Sequence, residues 1–326
     1  MTGRRRGFRF GVVAEGARTA DGLLDLARRA ERLGYSTLLL RDHFVREPFG
    51  DQLAPMVALT AVAAATRALR VGTLVLDNDY RHPVLLAKEA ATLDRLSGGR
   101  FELGIGAGWL REEYGRAGIP FDPPGVRVDR LDESLTVLKG LFGGEPFSFA
   151  GKHYTIDGLQ SFPAPAQRPH PPLLVGAGSP RMLGIAGRQA DVVGILPKAM
   201  PDGTISDALS ERSTEAVARK VDEVRKAAGE RTDGVDGVDV VELSMVVSVV
   251  VAADHRTAAE RIAEERGWGA AAAEAVLDMP SILVGSEARI ADLLQARRDR
   301  LGFSYLVVSD EDMDALAPVV AQLAGT

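Results

Sequence analysis

The chain has 326 residues, 46% of them hydrophobic and 26% charged, and carries a net charge of −6 at neutral pH. This is the composition of an ordinary globular protein, and the acidic balance argues against a nucleic-acid partner. The absence of cysteine excludes disulfides, thiolate nucleophiles and thiolate-bound metals together. No run approaches the roughly 18 apolar residues of a membrane span. The opening "MTGRRRGFRFGVV" lacks the apolar stretch of a signal peptide, and its "RRR" run reads as a solvated tail. A cytoplasmic protein with no membrane partner is expected.

From the N-terminus, short β-rich runs alternate with stretches of helical period. "FRFGVV" from Phe8 is followed by "DGLLDLARRAERLG", where Leu23, Leu24, Ala27, Ala30 and Leu33 recur at helical spacing and Gly34 marks the end. "STLLL" begins at Ser36 and "LRVGTLVL" at Leu69. The next helix is "PVLLAKEAATLDRLSGG", with Pro83 in its first turn and Gly98 and Gly99 as a stop. The remaining strand runs are "RFELGIG" from Arg100, "PLLVGAG" from Pro172, "DVVGIL" from Asp191, "VELSMVVSVVV" from Val241 and "SYLVV" from Ser304.

Eight strands, each followed by a helix, predict one α/β domain over 1–326, a closed parallel (β/α)8 barrel of TIM type; an open doubly wound sheet is the competing arrangement. Two breaks interrupt the alternation. Residues 144–171 carry the strand-like "FSFAGKHYTI" and a proline-rich linker, too long for an ordinary connection, and read as an insertion after the fourth strand. A second insertion, about 266–286, follows the seventh strand and contains the alanine-rich "WGAAAAEAVLDMPSILVGS".

In such a barrel the chemistry sits where the C-terminal strand ends meet. The second strand ends in "RDHF", which puts Asp42 and His43 at the rim. An imidazole suits proton exchange near neutral pH, and a neighbouring acid can fix its tautomer; a hydrogen-bonded surface histidine is the plain alternative. The third strand ends in "LDNDYRHP" and the fourth in "GIGAGWLREEY". Gly104, Gly106 and Gly108 clear the way for a flat ligand, but their spacing misses the dinucleotide fingerprint. The Glu112 and Glu113 pair has the makings of an acid-base device, but its pattern more often marks a helix start with a solvated acid; Glu113 and Tyr114 stand next after His43 as proton donors. After the fifth strand, "VGAGSPRMLGIAG" offers Ser179 as an N-cap and Pro180 as a first helical residue. The exposed N–H groups there suit a phosphate, while a merely capped helix is the alternative. Metal and acyl-transfer motifs are missing, and no metal site is expected.

From "FRFGVV" to "LGFSYLVVSD" the chain resembles the bacterial luciferase-like family of flavin and deazaflavin oxidoreductases. The likeness is strongest in "RDHF", in "VGTLVLDNDYRHPVLLAKEAATLDRLSGGRFELGIGAGWLREEY" and in "PPLLVGAGSPRMLGIAGRQADVVGI". The branch it resembles is that of actinobacterial oxidoreductases using coenzyme F-420. The resemblance implies an eight-stranded barrel and a non-proline cis peptide at Leu74–Val75 beside the ring. It places Asp42 and His43 at the reacting face, and Gly106, Ala107 and Trp109 along the ring edge. Gly176, Ala177, Gly178 and Ser179 would surround the phosphate with Gly194 and Ile195. In "LDNDYRHP", Asp77 and Asn78 are the candidate ligands, while Arg81 and His82 support or cap. Sugar-phosphate dehydrogenases of the family place a glutamate where Trp109 stands, so their substrate is not carried over.

The function implied is hydride transfer between F-420 and a small organic substrate, with His43 exchanging the proton. The alternatives are a monooxygenase using reduced FMN and a non-catalytic flavin-binding barrel. A flavin or F-420 reductase partner and a homodimer are implied with it. Substrate specificity is expected in the 144–171 insertion and in the loops after the sixth and seventh strands.

Overall fold

The computed structural model describes residues 6–16, 19–200, 202–231 and 241–326. Arg4 and Arg5 of the arginine run lie outside them. Eight parallel strands close a barrel: Arg9–Val13, Thr37–Leu40, Arg70–Thr73, Phe101–Gly106, Leu173–Ala177, Val192–Ile195, Glu242–Val246 and Phe303–Ser309. Each pairs with its successor. The eighth returns to the first, with Arg9 opposite Tyr305 and Val13 opposite Ser309. Sequential order and closure exclude the open doubly wound sheet. The strands read as near-continuous apolar runs because helices cover one face while the other fills the barrel. The second, fourth and sixth are buried at every position.

The helices form as their periodicity predicts. Ala20–Arg32 buries Leu23, Ala27 and Ala30, and Thr19 caps it by accepting from the Gly22 N–H. Pro83–Leu96 begins on Pro83, with His82 as its cap, and is followed by Gly98 and Gly99 at φ +67° and +81°. That left-handed backbone is the one glycine adopts without penalty.

Two predicted strands divide. "LRVGTLVL" runs to Thr73, turns through a cis Leu74–Val75 peptide, and resumes as Leu76–Asp77 against the fourth strand. "VELSMVVSVVV" leaves the barrel after Val246, and Ser248–Val251 pairs instead with Ile282–Gly285. Helices His255–Glu265 and Ala273–Asp278 lie between them around an apolar cluster that includes Ala259, Ala263 and Val276. The excursion therefore spans 248–285 and begins earlier than expected, because an unbroken valine run does not mark where a strand exits.

The 144–171 insertion contains an antiparallel hairpin, Phe147–Ala150 with Thr155–Leu159. Glu133 ties its turn by accepting from the N–H groups of Lys152, His153 and Tyr154. The proline-rich part lies on helix Pro83–Leu96, where buried Asp94 accepts from Ala166 and Gln167. At the N-terminal mouth of the barrel, buried Glu102 holds Arg9 and Arg70, and Arg9 also meets Glu242. This end of such barrels serves stability. No helix among the described residues is long and apolar enough to cross a membrane.

Candidate active site

The C-terminal strand ends open into a cavity of about 1010 Å³, at the top of the roughly 300–1,000 Å³ usual for ligand pockets. One wall carries Leu74, Val75 and Asp77 from the third strand with Gly106, Ala107 and Trp109 from the fourth. Beside them lie Gly176, Gly178, Ser179, Gly194 and Ile195 from the fifth and sixth strand ends, while Asp42 and His43 reach in from the loop after the second strand. Two expected residues are absent from the walls. Ala177 is buried in the core. Asn78 sits in a 3-10 turn, Asn78–Tyr80, that faces its buried side chain away from the cavity, where its amide donates to the Tyr154 hydroxyl at 3.4 Å.

The acid beside His43 is Glu113, not Asp42. His43 Nδ1 lies 3.0 Å from Glu113 Oε2. The same carboxylate accepts from the Phe44 and Val45 N–H groups at 2.6 and 3.1 Å and from the Tyr80 hydroxyl at 3.0 Å. Glu113 is buried, contrary to the solvated acid expected, because the turn of helix Arg111–Ala117 directs it beneath the "RDHF" loop. Burial raises its carboxyl pKa, but the hydrogen bond and charge of His43, with the Val45 and Phe44 N–H groups, outweigh that and hold it below the usual carboxylate range. A carboxylate only accepts, so Nδ1 carries the proton and Nε2 is the nitrogen left to take one up. The imidazole packs 5.0 Å from Phe49 and edge-on to Trp109 at 6.0 Å.

Asp42 is instead gripped by both terminal nitrogens of Arg81 and accepts from the Asp77 N–H at 3.2 Å. Asp77 takes the Tyr114 hydroxyl at 2.9 and 2.7 Å on its two oxygens. Burial pushes its carboxyl up to about 7, against the Asp79 N–H and the Tyr114 hydroxyl that favour the charge. Arg130 pairs with Asp79 at 2.7 Å. The polar passage "LDNDYRHP" thus braces the residues delivered by the second and fourth strands.

Several glycines are spacing requirements. A Cβ at Gly104 would meet the Thr73 carbonyl oxygen at 1.9 Å, and one at Gly108 (φ +72°) would meet the Tyr114 hydroxyl at 1.9 Å. A Cβ at Gly178 would lie 2.4 Å from the Pro197 carbonyl oxygen. Ser179 occupies the N-cap position of helix Pro180–Gln189 on the cavity lining without making a side-chain cap bond. Arg127, unforeseen from sequence, is buried on the cavity wall. It donates to the Gly108 carbonyl at 2.8 Å and lies over the Phe121 ring, but its Nε has no partner among the described residues. It falls on the buried face of helix Pro124–Phe142 at helical spacing from Leu131 and Leu135, which was the available signal.

Residues 8–319 match the family described as luciferase-like monooxygenase. The chain belongs to that family. It is 29% identical over 316 residues to the F-420-dependent glucose-6-phosphate dehydrogenase of Microbacterium testaceum, covering 96% of this chain and 88% of that one. It is 33% identical over 167 residues to the FMNH2-dependent dimethylsulfone monooxygenase of Pseudomonas putida, spanning 51% of this chain and 46% of that one. An uncharacterized Sinorhizobium fredii protein is likewise matched over just under half its length, 47%. Among solved structures, the coenzyme F-420-dependent tetrahydromethanopterin reductase of Methanopyrus kandleri superposes with a TM-score of 0.74 over 98% of this chain and 99% of that one, at 18% identity. At that identity the likeness shows the fold.

Proposed function

We propose that the protein is an oxidoreductase that moves a hydride between deazaflavin coenzyme F-420 and a small organic substrate. The observation that carries this reading is the cavity itself. Val75, Gly106 and Gly176 give it a wall of low relief for a flat ring; His43 lines the same cavity, and Arg127, Ser179 and the first turn of helix Pro180–Gln189 offer donors for an anion. Leu74, Val75, Gly106, Ala107 and Trp109 would hold the ring, and Gly176, Gly178, Ser179, Gly194 and Ile195 the phosphate end. Bound F-420 supplies the two-electron carrier. The chain supplies position and the proton: Glu113 holds Nδ1, and Nε2 of His43 exchanges a proton with the substrate oxygen or nitrogen as the hydride moves.

The likeness to an F-420-dependent dehydrogenase runs over nearly the whole chain, and that to an FMNH2-dependent monooxygenase over half of it. This supports the deazaflavin first and reduced FMN second. A homodimer is carried as part of this reading. A separate reductase belongs to the FMN alternative. Titration with F-420 and FMN, oxidised and reduced, followed by ring absorbance, tests the reading. Tighter binding of F-420 and no substrate-linked oxygen uptake are expected, whereas oxygen uptake with reduced FMN alone would replace this reading with the monooxygenase.

A further inference from the structure

Toward the first four strands the carboxylates of Asp42, Asp77 and Glu113 stand beside Arg41 and Arg127. The wall built after the sixth and seventh strands carries a denser set of cations, Lys198, Arg212, Lys220 and Arg266. These cations share two carboxylates. Glu211 pairs with Lys220 at 2.9 Å, and that hydrogen bond, with the charges of Lys220 and Lys198, holds its carboxyl below the usual range although burial opposes them. Asp207 meets Arg212 at 2.9 Å and Arg266 at 3.8 Å. The 144–171 hairpin, expected to shape specificity, contributes nothing to the cavity walls.

Arg212 is the centre of this wall. Its side chain is 18% exposed, and its Nε, fully buried, has no acceptor among the described residues. Burial draws the guanidinium below its ordinary pKa despite Asp207. Buried polar groups in native structures are matched by protein, solvent or ligand, and Arg212 donates besides to the Ser206 carbonyl at 3.3 Å. Trp268, whose indole N–H donates to the Asp207 carbonyl at 3.1 Å, shields the same corner. A surplus of positive charge, an unmatched donor and a sheltered corner on one wall favour a charge-assisted contact with an oxyanion.

We propose that this wall is an anion subsite, and that the substrate carries a carboxylate or phosphate which Arg212, Arg266 and Lys198 receive while its reacting carbon faces His43. The subsite stands on the wall's own geometry; naming its ligand a substrate rests on the proposed function. An anionic group can also reach this wall as part of the cofactor, since Gly178 lies against Pro197, and the test separates the two sources.

Inorganic phosphate is titrated by calorimetry into protein saturated with F-420, for the wild type, Arg212→Gln and Arg266→Gln. Phosphate should bind the loaded wild type. Arg212→Gln should weaken it about tenfold or more, and half-exposed Arg266→Gln severalfold, with F-420 affinity and Tm retained. If F-420 excludes phosphate and Arg212→Gln weakens F-420 instead, the anion is the cofactor's and the proposal is overturned. It is equally overturned if phosphate binding ignores both arginines or does not occur. Binding of phosphate that depends on Arg212 in a protein that takes up no F-420 supports the subsite and removes the cofactor reading alone.

Discussion

His43 and Glu113 meet at 3.0 Å across loops that follow the second and fourth barrel strands, so the imidazole is oriented by a residue 70 positions away. His43→Ala removes the imidazole and leaves the N–H groups of Phe44 and Val45 bound to Glu113. Turnover should fall by roughly 10² to 10⁴, the usual contribution of general acid-base help, with cofactor affinity and Tm nearly unchanged. Glu113→Ala strands those two N–H groups as well and should cost on the order of 3 kcal/mol. Thermal melts beside steady-state rates check both; unfolding of His43→Ala would make the histidine structural.

Asp77 should impose a pH dependence on stability. Its carboxyl is raised to about 7 in the fold, so the folded state holds its proton over a range where the unfolded chain has lost it. Stability from this group is therefore greatest below about 4, the unfolded value, declines as pH rises toward 7, and is flat above. Asp77→Asn should remove that decline. Guanidinium titrations from pH 5 to 9 would expose the error if wild type and variant ran parallel throughout.

Ser179 separates helix capping from ligand binding. Without a side-chain cap bond, Ser179→Ala should leave Tm within about 1 °C and weaken the cofactor by roughly three- to tenfold, the value of one hydrogen bond. A Tm loss equivalent to about 1 kcal/mol would instead reveal an ordinary N-cap. Gly178→Val is a poorer probe, because its Cβ would strike the Pro197 carbonyl and lower stability together with affinity.

Glu102 lies at the opposite mouth of the barrel from the cavity. Its carboxyl is fully buried, and the charges and hydrogen bonds of Arg9 and Arg70 keep its pKa depressed in spite of burial. Glu102→Gln leaves two arginines short of their counter-charge and should cost about 3 to 5 kcal/mol. Activity per folded molecule should be unchanged, and a selective loss of turnover at full Tm would contradict the division between the two ends.

The barrel was legible because period alone separates its strands from its helices, and because rim position converts strand ends into a residue list. Asp42, His43 and the glycines after the fourth and fifth strands were placed at the rim in that way, while Gly194 of the sixth came from the family resemblance. What escaped was pairing. Nothing in "WLREEY" tells which glutamate turns inward, and Asp42, though adjacent to His43 in sequence, pairs with Arg81 from a later loop. Arg127 escaped because a helical arginine is ordinarily solvated. Asn78 was misplaced by a 3-10 turn that its neighbours do not announce.

The two tryptophans, Trp109 and Trp268, both line the cavity, which permits a direct test of where the ring lies. In Trp268→Phe, Trp109 is the sole tryptophan, and F-420 titrated into this variant should quench its emission saturably, at lower concentration than FMN does. Unquenched Trp109 emission with F-420 demonstrably bound, or quenching by FMN alone, would contradict a deazaflavin ring lying along Gly106 to Trp109.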